Sequence, residues 1–362
     1  MKRREFLKHA GAMSAGLTLL KAAPLFAGTP ASSGWRTFDV TTHVEVLKPS
    51  GVTHIWLPAA LKRNTSFQKT LTNKFVADGG MASLTESRED SVGMVTATYP
   101  EHSKPVLTLI SRISVRNYSV DLSTASHGAH ASRAELEYYL RPSKYVPTDG
   151  IVKQTAEKAV KGANTDIDKA RAIYEWIVEN TFRDPKVRGC GRGDIRFMLE
   201  SGDLGGKCAD LNALYVGLAR AARIPARHIY GLRINKSDLG YKSLGLPADK
   251  ATKGQHCRAE VYLSQHGWVP VDPADVRKVV LEEPPGNLKL EDEMVSKART
   301  RLFGSWEMNW MAYNYGHDIA LPGSAGQPLV YFMYPQAETL EGRIDPFDPD
   351  NFKYEITVNE VT

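Results

Sequence analysis

The chain has 362 residues, 42% of them hydrophobic, and carries 46 Lys and Arg against 41 Asp and Glu, for a formal net charge of +5. That length exceeds what one hydrophobic core ordinarily supports, so two domains are expected, and the apolar content suffices for both. Five basic residues and one acidic fall within residues 1–27, leaving the rest at +1; with no clustered basic face, nothing argues for nucleic acid as a partner.

The first 27 residues, "MKRREFLKHAGAMSAGLTLLKAAPLFA", read as an export signal. Arg3 and Arg4 followed by Phe6, Leu7 and Lys8 resemble the twin-arginine signature, although Lys2 stands where Ser or Thr is usual. The apolar stretch from Ala10 to Leu20 is Gly/Ala-rich and too short to span a bilayer. Export through the twin-arginine (Tat) translocon is expected, with cleavage near Ala27, a periplasmic or otherwise exported destination and no permanent membrane anchor.

From residue 35 to about 130 the pattern has period two. "RTFDVTTHVEVL" puts Phe38, Val40, Val44 and Val46 on one face, and "VTHIWLP", "TLTNKFVAD", "GMVTATY" and "PVLTLISRISVR" follow between turn residues. Short alternating strands with regular breaks predict an antiparallel β-sandwich. "STASHGAHAS" (123–132) is polar and aperiodic, and is read as the linker closing that domain.

The period then becomes helical. A helix is expected from about Gly150 to Lys161. In "DIDKARAIYEWIVENTF", Ala170, Ile173, Tyr174 and Ile177 recur at helical spacing behind Thr165 or Asp166 as cap. Another helix is expected over 209–222, with Leu211, Leu214, Tyr215 and Leu218 buried and Pro225 as its stop. "HCRAEVYL" and "GWVPVD", joined by "SQHG", predict a hairpin; "LVYFMY" and "KYEITVN" read as further strands of a domain spanning 135–362.

Cys208 follows "GGK" and opens a helix, where the positive end of the dipole favours a thiolate. Taken alone it fits a nucleophile, a metal ligand or a buried small residue. The hairpin weighs the choice. Alternation sets Cys257, Ala259 and Val261 on one face of the outgoing strand and His256 on the other, and turns Asp272, at the end of the returning strand, toward the side of His256. A bulge or offset turn is expected to bring imidazole and carboxylate into register. Cys208, His256 and Asp272 then form a nucleophile, a base and an orienting carboxylate.

"GKCADLNALYVGLARAARIPAR", "QHCRAEVYL" and "GWVPVDPADV" in that order resemble the transglutaminase-like superfamily of papain-type thiol enzymes, over roughly residues 135–280. The resemblance implies an α+β chain: an N-terminal antiparallel β-sandwich, similar to one in several bacterial members, followed by a papain-like domain. It also implies Cys208 as nucleophile, His256 as general base and acid, and Asp272 as orienting residue, with no cofactor. Ala222-Arg223 replaces the small residue and glycine usual in the family before Ile224.

Other features are weighed alongside. A zinc site from Cys190, Cys208, His256 and Cys257 is disfavoured, because no C-x-x-C pair exists and His256 and Cys257, being consecutive, point apart. Cys190 and Cys257 are read as unrelated thiols in preference to a disulfide. "RGCGRGDIRFMLESGD" offers Asp194, Arg196 and Asp203 as substrate contacts or as a self-contained ion network. Trp306 is a candidate platform, with a core role favoured. The function expected is acyl transfer from an amide on a protein, peptide or cell-wall peptide substrate, with hydrolysis favoured over amine transfer to glutamine; the third reading is a non-catalytic binding module on the same scaffold.

Overall fold

The computed structural model describes residues 34–87, 90–125, 131–247 and 249–361; the expected export signal and the centre of the 123–132 segment lie outside them. The chain begins with strands β1 (Arg36–Val46), β2 (Thr53–Pro58), β3 (Gln68–Asp78), β4 (Met81–Glu86), β5 (Gly93–Tyr99), β6 (Val106–Val115) and β7 (Tyr118–Ser119). Helices α1 (Arg133–Tyr138), α2 (Gly150–Ala159) and α3 (Asp166–Asn180) follow, then β8 (Phe182–Arg183), α4 (Ile195–Ser201), β9 (Gly205–Gly206) and α5 (Cys208–Ala221). Strands β10 (Ala226–Arg233), β11 (Gln255–Leu263) and β12 (Gly267–Val271) lead into α6 (Pro273–Glu282) and α7 (Glu293–Arg301). The chain closes with β13 (Ser305–Trp306), β14 (Trp310–Asn314), β15 (Gln336–Thr339), β16 (Gly342–Ile344) and β17 (Phe352–Val361).

The early strands fall into two antiparallel sheets, ordered β17-β1-β6-β3 and β16-β15-β2-β5-β4. Their alternating apolar residues meet in one cluster: Val44, Leu107, Leu109 and Phe352 from the first sheet, Ile55, Leu57, Val95 and Ala337 from the second. The last strands were expected to extend the second domain. Instead β17 pairs along β1, from Thr37 opposite Val361 to Val46 opposite Phe352, and β15 pairs with β2. The reason is edge protection, since without β17 the β1 edge would present unpaired backbone groups. "LVYFMY" is not a strand; apart from a bridge between Leu329 and Ile319 it runs as irregular chain.

The centre of the α-helical part is α5, buried at every position from Cys208 to Arg220. It lies against the four-stranded sheet β12-β11-β10-β14 on one side and against α2 and α3 on the other. Burial of each of Leu211, Leu214 and Leu218 contributes about 1.5–3 kcal/mol. Helix α3 starts on a capping box in which Thr165 and Asp168 exchange hydrogen bonds, as Thr165 promised. At the end of α5 the Ile224 amide reaches back to the Ala219 carbonyl at 2.9 Å, and Arg223 takes a left-handed φ of +66°. That is the conformation for which glycine is the ordinary choice. The main apolar cluster runs without interruption from Phe38 and Ile113 in the first sheet to α5 and β11.

Candidate active site

A cavity of about 1000 Å³ opens where the start of α5 meets the start of β11, and Cys208, His256 and Cys190 line it. The position of Cys208 is set by a neighbour on its own helix. Asp210 accepts the Lys207 amide on Oδ2 at 3.0 Å and the amides of Arg192 and Gly193 on Oδ1, each at 2.8 Å. One buried carboxylate therefore ties the 191–193 loop to the first turn of α5. This also explains two glycines. A Cβ at Gly191, whose φ is +98°, would fall 1.8 Å from Asp210 Oδ2, and one at Gly206 would fall 2.6 Å from Asp210 Cβ.

Cys208 is 4% exposed. The neighbouring thiols of Cys190 and Cys257, and then the His256 imidazole, hold its thiol well below the ordinary range, although burial pushes it up. The helix N-terminus acts in the same direction. All three cysteines are free and buried. Cys190 is held by its own set of contacts: Sγ lies 3.3 Å from the Gln255 carbonyl, and the Tyr334 hydroxyl donates to it at 3.0 Å. The neighbouring Cys208, together with burial, raises the Cys190 thiol well above its usual range.

His256 Nε2 donates to Asp272 Oδ2 at 2.8 Å, which leaves Nδ1 for the thiol. No bulge is needed. Ala259 pairs with Val271 and Val261 with Val269, so Asp272 stands level with Arg258 on the same face, one diagonal step from His256. Trp310 Nε1 donates to the His256 carbonyl at 2.8 Å and fixes the backbone behind the ring. Burial disfavours the imidazolium, but Asp275 and Asp272 outweigh burial and Arg233, and the ring's pKa is raised.

Asp272 is fully buried and caps α6, accepting the Asp275 amide on Oδ1 at 3.1 Å; Asn212 Nδ2 donates to the same oxygen at 3.2 Å. Burial, and then Asp275, push the Asp272 carboxyl up. Asp275 lies 3.4 Å from His256 Nε2 and takes Arg233 Nη2 on both oxygens, at 2.6 and 2.7 Å. Burial raises its carboxyl, but Arg233 and then His256 and Arg258 hold it below the usual range. His256, Asp272 and Asp275 bring one ligand atom each within 4.8 Å of one another. Arg233 and Arg258 already counter those carboxylates, so the group works as an ion network in preference to a cation site.

Asn212, Asp275, Arg233, Trp310 and Cys190 were not assigned to the site from the sequence. Two carried a readable signal. Asn212 lies one helical turn after Cys208, and "DPAD" (272–275) has the spacing of a capped first turn. The residues proposed as substrate contacts lie elsewhere. Asp194 caps α4 by accepting the Phe197 amide, Arg196 pairs with Asp149 at 2.8 Å, and Asp203 accepts the Gly205 amide at 3.0 Å. None of them lines the cavity with Cys208. Trp306 is 1% exposed and lies under the Arg258 guanidinium, 5.4 Å from its ring centre. It supports the cation beside Asp272 and offers no open face.

The family model for the transglutaminase-like superfamily matches residues 153–273. Over 336 residues the chain is 33% identical to an uncharacterized protein of Haemophilus influenzae, covering 88% of this chain and 90% of that one. The chain carries a transglutaminase-like superfamily domain. Among solved structures, a candidate cysteine protease from Cytophaga hutchinsonii has a TM-score of 0.53 at 17% identity, covering 90% of this chain and 99% of that one. The periplasmic domain of TgpA from Pseudomonas aeruginosa has a TM-score of 0.36 at 17% identity, over 67% of this chain and 88% of that domain. The matched segment runs from within α2 to the first residue of α6, ending one residue past Asp272. Among the described residues no helix is long and apolar enough to cross a membrane.

Proposed function

We propose that the protein is a thiol-dependent amide hydrolase acting on peptides or proteins, with Cys208 as nucleophile, His256 as general acid and base, and Asp272 as the residue that orients the ring. The observation that carries this reading is the single arrangement of Cys208 against His256, with His256 Nε2 on Asp272 at 2.8 Å, at the head of one cavity. The lowered thiol and the raised imidazole favour a thiolate–imidazolium pair.

In the first half-reaction Cys208 Sγ attacks the amide carbonyl carbon. The developing oxyanion lies by the Cys208 amide, which at the first helical position has no intrahelical acceptor. The His256 Nδ1 proton passes to the departing nitrogen, the C–N bond breaks, and a thioester remains. Neutral His256 then takes a proton from water, whose oxygen attacks the thioester. The Cys208 thiolate leaves, and the product is a carboxylic acid. Asp272 stays ionised throughout and holds the ring's tautomer.

The test follows a glutamine-bearing peptide and a labelled amine in one tube. Release of ammonia or of a peptide fragment without incorporation of the amine supports hydrolysis, whereas dominant incorporation assigns the amine-transfer reaction. If Cys208 stays inert to a small alkylating reagent near neutral pH in the folded protein, the enzyme reading fails and the binding-module reading stands. Export through the twin-arginine route, proposed from Arg3 and Arg4 and the short apolar stretch after them, is supported if Arg3→Lys/Arg4→Lys retains the uncleaved chain in the cytoplasm.

A further inference from the structure

Seven basic side chains line the cavity and, among the described residues, no aspartate or glutamate does. General basicity of the chain does not explain this, because beyond residue 27 the net charge is only +1. Five of the seven are already committed. Arg183 and Lys278 meet Glu282, Arg233 holds Asp275, Lys250 pairs with Glu355 at 3.2 Å, and Lys353 reaches Glu45 at 3.9 Å. The other two, Lys207 and Lys253, form no ion pair among the described residues. They are also the two closest in sequence to the reacting groups, Lys207 next to Cys208 and Lys253 three residues before His256. Leu246, Phe347, Phe352 and Tyr354 supply an apolar part of the wall, and a cleft lined by one sign of charge against low-dielectric walls concentrates ions of the opposite sign.

We propose that this cleft selects acyl donors bearing a carboxylate close to the scissile amide, and that Lys207 and Lys253 are the groups that recognise it. The inference rests on Cys208 being the reactive thiol of the proposed hydrolase. An anionic substrate supplies the counter-charge that two uncommitted ammonium groups beside a nucleophile otherwise lack. A neutral or cationic peptide would have to displace water from both without replacing it by a charge-assisted hydrogen bond.

The experiment compares two alkylating reagents of nearly the same size and opposite claim on the cleft, neutral iodoacetamide and anionic iodoacetate, with mass spectrometry reading modification at Cys208. The quantity is the ratio of the iodoacetate rate to the iodoacetamide rate, set against the same ratio for glutathione. Because it is a ratio, a change in thiol reactivity cancels. The ratio is expected to exceed the glutathione value about tenfold, at the low end of what charge focusing gives, and to shrink with added salt. The His256 imidazolium also attracts an anion, so the lysine variants decide. Lys207→Met and Lys253→Met should each lower the ratio about threefold, the double variant should lower it further, and Lys253→Arg should keep it, if each lysine carries part of the focused potential. A double variant with the wild-type ratio overturns the inference while leaving the hydrolase reading intact, provided iodoacetamide still labels Cys208. Inertness to both reagents overturns the hydrolase reading and this inference with it. Matched peptides, Glu against Gln beside the cleaved bond and free against amidated C-terminus, then locate the carboxylate: preference for either acid supports the inference, and preference for neither refutes it.

Discussion

Replacing Asp272 by asparagine tests how the ring of His256 is held. Oδ1 of Asp272 receives two donors, Asn212 Nδ2 at 3.2 Å and the Asp275 amide at 3.1 Å, whereas Oδ2 receives His256 Nε2 at 2.8 Å. An asparagine side chain must keep its oxygen toward the two donors, because the opposite flip sets its NH₂ against both. Its NH₂ then faces His256, which has to present a bare Nε2 and carry its proton on Nδ1, toward the thiol. The ring can no longer accept the thiol proton. The charge is lost as well: at 2.8 Å and an effective dielectric near 20, one carboxylate stabilises the imidazolium by at most about 6 kcal/mol, or roughly four pKa units. Asp275, 3.4 Å from the same nitrogen, retains part of that field, so a loss of about two units is expected, which corresponds to about a hundredfold in the thiolate–imidazolium population. The assay is the iodoacetamide rate at Cys208 across pH 5 to 10. In the wild type the lowered thiol keeps the rate high into the acid range, and the raised imidazole holds the pair together until the ring loses its proton. In Asp272→Asn the rate at neutral pH should fall about a hundredfold and the thiol limb of the profile should move toward higher pH, with Cys190 and Cys257 still holding part of the lowering. Unchanged pH dependence in a variant that keeps its circular dichroism and melting temperature would refute the assignment.

Four further outcomes are expected. Asp275→Asn leaves Arg233 buried without its carboxylate and should cost about 3–5 kcal/mol in denaturant unfolding; because Asp275 raises the His256 pKa, the alkaline limb of the alkylation profile should also move to lower pH. Gly191→Ala places a methyl group against the Asp210 carboxylate at a left-handed φ and should destabilise by about 3 kcal/mol, through strain and loss of the loop's hydrogen bonds; Gly202→Ala, whose added Cβ meets nothing within 4 Å, carries only the strain and should cost less. Arg223→Gly relieves the left-handed residue after α5 and should raise stability by about 0.5–1 kcal/mol at unchanged peptide cleavage, measured by chemical denaturation. Trp310→Phe removes the donor to the His256 carbonyl and should cost about 1–2 kcal/mol, with a fall in kcat larger than any change in KM if that bond positions the ring.

Cys208, His256 and Asp272 were readable from the chain because each lies on, or directly ends, an element whose period is strongly marked. The stripe Leu211, Leu214, Tyr215, Leu218 gave the helix that starts at Cys208, and the alternation of "HCRAEVYL" gave the side of the strand on which His256 lies. Period tells which face a residue occupies. It carries nothing about which distant strand or charge will meet that face. Asp194, Arg196 and Asp203 read from the sequence equally as substrate contacts or as a self-contained ion network, and in the fold each meets a local cap, turn or ion pair that the spacing alone does not announce. "LVYFMY" has strand composition, yet within it only Leu329 finds a bridge, opposite Ile319, and the rest stays irregular.

By itself the sequence determined helices α3 and α5 and the β11–β12 hairpin, the order of thiol, imidazole and carboxylate, and the glycine-rich approach to Cys208, since all of these follow from spacing within a few turns of chain. The tertiary structure decided what needs partners far apart in sequence: the pairing of β17 with β1 across more than three hundred residues, the meeting of Cys190 with Cys208, and the Arg233–Asp275 pair behind His256. A hydrogen-bond ladder and a buried ion pair gain their free energy only when both halves arrive together, and neither half announces its partner. The charge of the cleft belongs to the same class. Lys207 and Lys253 are ordinary lysines in the sequence, and the fold makes them neighbours of one cavity in which, among the described residues, no carboxylate answers them.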